Sequence, residues 1–321
     1  MSRKALLIGN KDYIGDDFDK LTLPEKDVMQ LKKALELIGF KVFAEFNLKY
    51  KNMNAVIERF IFDIQDGDEI IFYFSGHGYS YKGNNYILPI DCLDIIKIKE
   101  IDIFNNNYSY AAKVIDISDI VNKLQNFNND GVNILLLDAC RIRYENRMYK
   151  NERISYFTES STNEGNFFIS FATALGNYSY ENKEAKCSSY VEGICKVIYR
   201  KEQTIDEMFQ CVRNFVSYNT TNGKNNREQT PCYINSLNKS YSLINNENYT
   251  LKIEEKYFED LCNIYIYIYI TLSDLYKEQK MNNYDEKKFN TLLELAELEL
   301  FYPKTILENY VKKQLNQLKK N

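Results

Sequence analysis

The chain has 321 residues, of which 45% are hydrophobic, so it is long enough for one large core and a smaller accessory region. Its 41 Lys and Arg residues nearly balance its 45 Asp and Glu residues, which excludes the basic surface typical of a nucleic-acid-binding protein. Its seven cysteines include no Cys-x-x-Cys pair, which argues against zinc fingers and thioredoxin-like sites and favours a reduced, cytoplasmic setting.

Strand-like and helix-like segments alternate from residue 1 to about residue 237. The first apolar run is too short for a signal-peptide core and no later segment is long enough to span a membrane, so we expect no membrane partner. Strands are predicted at 4–9, 41–46, 69–74, 132–137 and 166–172, with a hairpin turn at 82–84 and a last strand at Cys232. Helices are predicted from Pro24 to Gly39 and at 53–64, 115–124, 187–199 and 204–218. This alternation predicts an α/β domain with a mostly parallel sheet.

The character of the chain changes after residue 237. Ile and Tyr alternate strictly over residues 264–270, which predicts a strand with one aliphatic and one aromatic face. Two amphipathic helices are predicted beyond it, at 286–301 and 304–320. We therefore divide the chain into a main domain at 1–237 and a smaller α+β accessory region at 238–321.

The single histidine of the chain, His77, lies between two glycines directly after the apolar strand at 69–74. Glycines at such a position let the backbone turn sharply and let a substrate approach closely. Open α/β sheets place their sites at the carboxyl ends of parallel strands. This context favours a functional histidine over a structural one, although a lone histidine is more often structural.

Cys140 holds the matching position at the end of the strand at 132–137. A Cys and a His at the ends of two parallel strands come to the same sheet edge, which predicts a nucleophile and its general acid/base. Cys140 alone would be equally consistent with a buried core thiol. Asp138 shares a strand face with Cys140, and it either forms a buried salt bridge or lines a pocket for a cationic guest.

Several motifs, taken in order, resemble the caspase-like cysteine peptidases and, among them, the paracaspases. They are ALLIGNKDY at 5–13, LTLPEKDV at 21–28, GFKV at 39–42, SGHG at 75–78, GNNYILPID at 83–91 and LLLDACRIR at 135–143. The resemblance covers about residues 3–237. The sequence differs from the metacaspase pattern after the nucleophile, because it has Arg141-Ile142-Arg143 where metacaspases have His-Ser-Gly.

The resemblance implies a caspase-like sheet of about six strands and a cysteine endopeptidase that works through a thioester. His77 and Cys140 correspond to the catalytic dyad, and the backbone N–H groups of Gly78 and Cys140 correspond to the oxyanion hole. It implies no metal and no other cofactor, and the calcium requirement common among metacaspases is not expected.

The resemblance also implies a substrate pocket lined by Asp27, Asp138 and Glu181, with Asp138 replacing the Gln of true caspases. Carboxylates hold a guanidinium bidentately, whereas Lys offers a point charge. We therefore expect protein or peptide substrates with Arg before the cleaved bond and Lys distinctly worse. We also expect that two copies of the chain can form a homodimer.

Residues 141–163 are rich in Arg, Lys, Asn and Ser, which predicts a mobile loop beside the nucleophile. Three of its arginines are either self-cleavage sites or solvated charges: Arg143, Arg147 and Arg153. The alternative function is a catalytically silent caspase-like scaffold or dimerisation module. Such relatives usually lack the Cys or the His, and this chain keeps both.

Overall fold

The structure is a computed structural model of the full chain. It describes residues 1–14, 18, 20–81, 84–92, 113–139, 142–143, 166–173, 185–200, 203–221 and 229–244. The predicted strand at 264–270, the two helices predicted after it, and most of the predicted loop at 141–163 lie outside these residues.

The described elements alternate as the sequence predicts. In chain order they are β1 (Arg3–Gly9), α1 (Pro24–Leu37), β2 (Lys41–Phe46), α2 (Tyr50–Phe62), β3 (Glu69–Gly76), β4 (Gly78–Tyr81), β5 (Asn84–Ile87), β6 (Ile115–Asp116), α3 (Ile117–Phe127), β7 (Val132–Ala139), β8 (Ile142–Arg143), β9 (Phe167–Phe171), α4 (Ser189–Val197), α5 (Ile205–Thr221) and β10 (Cys232–Asn235).

Six strands form the central sheet in the order β10-β9-β7-β3-β1-β2. All neighbouring strands run parallel except β10, which pairs antiparallel with β9. A second, four-stranded sheet in the order β6-β5-β4-β8 contains the predicted hairpin as β4 and β5. The predicted fold class, an α/β domain with a mostly parallel sheet of about six strands, is confirmed.

The central strands are apolar on both faces because helices cover both faces. In β3, Ile71 and Tyr73 join the core beneath α1, α4 and α5, whereas Ile70, Phe72 and Phe74 join the core beneath α2 and α3. Both cores are fully buried around the middle of the sheet. The carboxyl ends of β3 and β7 therefore emerge side by side from a rigid support.

Several element boundaries differ from the predicted ones. The predicted strands at 69–74 and 132–137 each continue for two more residues, to Gly76 and Ala139, because strand pairing goes on where the apolar run stops. The helix predicted at 115–124 is wrong at its first two residues, which form β6. Asp116 ends that strand and caps α3 by accepting a hydrogen bond from the Ser118 N–H at 2.8 Å.

Within the described ranges, no helix combines the length and the apolar character needed to cross a lipid bilayer.

Candidate active site

His77 is the single residue between β3 and β4, at the carboxyl edge of the central sheet. Its side chain is half-buried. Its backbone is held on both sides: the N–H donates to Tyr13 Oη at 2.7 Å, and the carbonyl accepts from the Leu88 N–H at 3.0 Å. The histidine therefore lies on a fixed piece of backbone at the edge where the sequence predicts a site.

Tyr13 anchors this backbone and also contacts the imidazole. It is buried, its hydroxyl donates to the Leu88 carbonyl at 3.1 Å, and its ring centroid lies 4.5 Å from that of His77. Phe18 adds a second ring at 5.4 Å. Gly76 makes this approach possible, because a Cβ there would lie 2.6 Å from Tyr13 Oη. The imidazole thus rests against two aromatic rings, which restrict its orientation.

The N–H of Gly78 points away from the β4–β5 hairpin. Gly78 pairs with Ile87 in an antiparallel register, and the adjacent pair, His77 with Leu88, is the one joined by a hydrogen bond. Hydrogen-bonded and non-hydrogen-bonded pairs alternate in antiparallel strands, so the Gly78 N–H faces the opposite side of β4. That side is occupied by β8, which begins at Ile142.

The register of β3 and β7 sets which residues meet at the sheet edge. Ser75 is opposite Asp138, and Gly76 is opposite Ala139. His77 is the next residue after Gly76. Cys140, the next residue after Ala139, lies outside the described residues, and so does Glu181.

Asp27 and Asp138 come from different elements and meet at one serine. Asp27 belongs to the first turn of α1 and Asp138 to the end of β7, and their exposed fractions are 1% and 5%. Ser188 donates its hydroxyl to Asp138 Oδ2 at 2.6 Å and its backbone N–H to Asp27 Oδ1 at 2.6 Å. The hydroxyl of Ser75 donates to the other Asp27 oxygen, Oδ2, at 3.1 Å. Two of the three predicted pocket acids thus lie together.

Burial and the neighbouring charge of Asp138 raise the pKa of Asp27 well above its ordinary value. The hydrogen bonds from Ser188 and Ser75 act in the opposite direction but are the smaller effects. Two carboxylates in one enclosed site resist being ionised together unless a cation joins them. Burial beside Asp138 therefore favours the protonated form of Asp27, because its pKa is raised.

Other cysteines near this region are poor nucleophiles. Burial, reinforced by the charge of Asp27, raises the pKa of the Cys187 thiol to about 12. Burial likewise raises the pKa of Cys195 well above its ordinary value. Because the thiolate is the reactive form, both residues behave as core thiols.

The described part of the chain holds no group of three or more His, Cys, Asp or Glu side chains placed to bind a metal ion.

Tyr13 and Ser188 were not identified from the sequence as site residues. Tyr13 lies within the ALLIGNKDY motif at 5–13, so its position in that motif was an available signal. Ser188 carries a weaker signal, since a serine before a helix is a common N-cap. Nothing in the sequence connects it with the two acids.

The profile of the Caspase domain family matches residues 2–242 of this chain. The mucosa-associated lymphoid tissue lymphoma translocation protein 1 of Homo sapiens is 31% identical over 139 residues, which are 43% of this chain and 15% of that protein. Its Mus musculus homolog matches with the same identity and coverage. The chain thus spans a small part of the length of these relatives.

Among solved structures, caspase-1 from Spodoptera frugiperda has the same fold. It superposes with a TM-score of 0.53 at 19% identity, over 78% of this chain and 92% of that chain. The resemblance predicted from the sequence motifs is confirmed by the profile, the relatives and the fold. With a profile match over three quarters of its length, the chain belongs to the caspase-domain family of cysteine peptidases.

Proposed function

We propose that this chain is an endopeptidase that hydrolyses peptide bonds after arginine through a Cys140–His77 dyad. The observation that carries the proposal is the adjacency of the two strand ends. Gly76 is opposite Ala139 in neighbouring parallel strands, and the next residue of each strand is His77 or Cys140. We infer that the same register, continued by one residue, would bring the histidine and the cysteine to one edge, beside the buried acid pair.

The proposed reaction begins with the Cys140 thiolate, which attacks the carbonyl carbon of the scissile bond. The resulting oxyanion accepts hydrogen bonds from the backbone N–H groups of Gly78 and Cys140. The direction of the Gly78 N–H, away from β5 and toward β8, supports this role. His77 donates a proton to the leaving amine, then takes one from the water that hydrolyses the thioester and restores the thiolate.

The preference for arginine rests on charge and geometry in the pocket. Asp27 and Asp138 are enclosed, and a cation is the group that allows both to be ionised. A planar guanidinium offers a fork of N–H donors to two carboxylates, whereas a lysine ammonium has to be held as a point charge. We propose Glu181 as a third acid, by its position in the family pattern.

We also propose a cytoplasmic setting with protein or peptide substrates. The seven cysteines of the chain include no Cys-x-x-Cys pair, which agrees with a reducing compartment.

The proposal is tested with the purified chain and fluorogenic peptides that carry Arg, Lys or Asp before the cleaved bond. The wild type should cleave the Arg peptide fastest, the Lys peptide distinctly more slowly and the Asp peptide least. Cys140→Ala and His77→Ala should each abolish cleavage without changing the melting temperature by more than a few degrees. Cys211→Ala is the matched control, because Cys211 lies on α5, away from the described site, and its loss should leave turnover intact. Turnover that survives in Cys140→Ala or His77→Ala refutes the dyad. A wild type inactive on all three peptides, with and without calcium, favours the silent scaffold instead.

A further inference from the structure

Ser188 donates a hydrogen bond to each of the two pocket acids, Asp27 and Asp138. We propose that Ser188 is a positioning residue for substrate specificity, which holds Asp27 and Asp138 at a fixed separation so that both face one guanidinium. This inference rests on the proposed function, since it concerns how the same pocket chooses arginine. The sequence motifs do not include Ser188, and its role follows from its contacts.

The serine has little freedom to move. Its hydroxyl proton is donated to Asp138 Oδ2 at 2.6 Å, while its oxygen accepts from the Val191 N–H at 3.2 Å as the N-cap of α4. Its backbone N–H is donated to Asp27 Oδ1 at 2.6 Å. Each polar group of Ser188 that can reach the pocket is therefore engaged, and three elements (α1, β7 and α4) converge on one buried residue.

The position of Ser188 also lowers the electrostatic cost of bringing two acids together. It precedes the first turn of α4, a helix of nine residues, where unpaired backbone N–H groups give a partial positive charge. Asp27 receives one of the N–H groups at this end, and Asp138 receives the capping hydroxyl. The helix end thus offsets part of the repulsion between the carboxylates and fixes the direction of each.

Fixed carboxylates matter more for arginine than for lysine. A guanidinium forms two parallel hydrogen bonds, which require the accepting oxygens to keep their spacing and plane. An ammonium can follow a displaced carboxylate, because its charge is compact and its donors rotate. Without the Ser188 hydroxyl, Asp138 loses a donor and gains rotational freedom, so arginine should lose more binding than lysine.

The experiment compares Arg and Lys peptides with Ser188→Ala and Ser188→Gly, which remove the hydroxyl. Glycine is a tolerated N-cap, so Ser188→Gly separates the hydroxyl from helix stability. Ser188→Thr keeps the hydroxyl and should restore selectivity. Ser189→Ala, one residue on, is the matched serine control. Asp116→Ala removes the N-cap of α3, away from the pocket acids, and controls for lost helix capping.

We expect Ser188→Ala and Ser188→Gly to lower kcat/KM for the Arg peptide about tenfold, mainly through KM, with a smaller change for Lys. Ser188→Thr, Ser189→Ala and Asp116→Ala should keep the wild-type Arg-to-Lys ratio. The inference is overturned if the two deletion variants keep that ratio, or if Asp116→Ala lowers it equally.

A second measurement separates this inference from the proposed function. Binding of the uncleaved Arg and Lys peptides is measured by calorimetry on Cys140→Ala, with and without Ser188→Gly. A wild type that does not cleave after Arg contradicts the proposed function. Weaker Arg binding in the double variant, with Lys binding less affected, supports the role of Ser188 whether or not the wild type turns over. Equal loss for both peptides, or no loss, contradicts that role.

Discussion

Asp27→Asn should have opposite effects on stability and on arginine binding. An asparagine at this position keeps both hydrogen bonds of the pocket, because its Oδ1 can accept from the Ser188 N–H and its Nδ2 can donate to the Ser75 hydroxyl oxygen. The substitution therefore removes a negative charge with little change in shape. The energetic consequence follows from how that charge is held.

An ionised Asp27 gains from two hydrogen bonds, each worth about 1.5–3 kcal/mol to a charged acceptor. It loses several kcal/mol through desolvation, and the nearby Asp138 adds repulsion. Burial is the largest of these effects and the hydrogen bonds are smaller, so the fold disfavours the ionised form of Asp27. We expect Asp27→Asn to stabilise the fold at neutral pH by about 1 kcal/mol, which for a domain of this size raises Tm by roughly 2–4 °C.

The pH dependence of this gain has a definite sign. The raised pKa of Asp27 means that the native state holds the proton more tightly than the unfolded chain, where the group has its ordinary pKa of 3.8. Wild-type stability therefore falls, relative to Asp27→Asn, as the pH rises from about 3.8 to the raised native pKa. The Tm difference between variant and wild type should grow through that window and level off above it.

Arginine binding should weaken in the same variant. In the wild type, a guanidinium displaces the proton of the acid pair, so Kd should rise up to about tenfold for each unit by which the pH falls below the native pKa of the pair. In Asp27→Asn, this pH dependence should flatten and Kd should rise. The measurement is calorimetric binding of an Arg peptide to the Cys140→Ala background, in buffers with different ionisation enthalpies that report proton release.

Asp119→Asn is the matched control, because Asp119 also lies in the first turn of a helix but is exposed. It should leave the binding of the Arg peptide unchanged. The reasoning is refuted if Asp27→Asn loses several degrees of Tm at neutral pH, because that result would show an ionised, structural Asp27. Equal proton release on binding of the Arg peptide, with Asp27 present and with Asp27→Asn, would contradict the prediction as well.

Two further predictions concern the dyad. Gly76→Ala places a Cβ 2.6 Å from Tyr13 Oη and 2.8 Å from Phe74 Cζ, so we expect a loss of about 1–3 kcal/mol in stability and at least about tenfold in kcat. Gly67→Ala is the control, because a Cβ at Gly67 meets nothing within 4 Å. It should lower Tm, since Gly67 has a φ of +91°, but it should not lower kcat. Equal losses of kcat in Gly76→Ala and Gly67→Ala would contradict the prediction. In a short iodoacetamide pulse at pH 7.5, Cys140 should be alkylated before Cys187, since burial raises the pKa of Cys187 to about 12. Peptide mass spectrometry reads the order, and prior labelling of Cys187 would contradict it.

The sequence predicts the fold well where hydrophobicity and secondary structure agree. The apolar runs at 69–74 and 132–137 identify β3 and β7, since both strands are buried on two faces. Their last two residues are less apolar (Ser75-Gly76 and Asp138-Ala139), and pairing between the strands, which hydrophobicity does not report, extends them. These same residues lie at the candidate active site, so the hydrophobic pattern predicts the strands least well at the positions that form the site.

The pocket depends on contacts that local rules do not contain. The apolar pattern predicts a helix over 187–199, which places Ser188 inside the helix. In the structure α4 begins at Ser189 and Ser188 is its N-cap, with its hydroxyl accepting from the Val191 N–H at 3.2 Å. The other contacts of Ser188 are tertiary, because its backbone N–H donates to Asp27 and its hydroxyl donates to Asp138.

The N-cap position of Ser188 joins α4 to both acids. Its hydroxyl accepts from the Val191 N–H and donates to Asp138, while its backbone N–H donates to Asp27. Ser189 is the next residue and begins α4 itself. The Arg-to-Lys ratio should therefore be more sensitive to Ser188 than to Ser189, although the two serines are adjacent and share one amino-acid type.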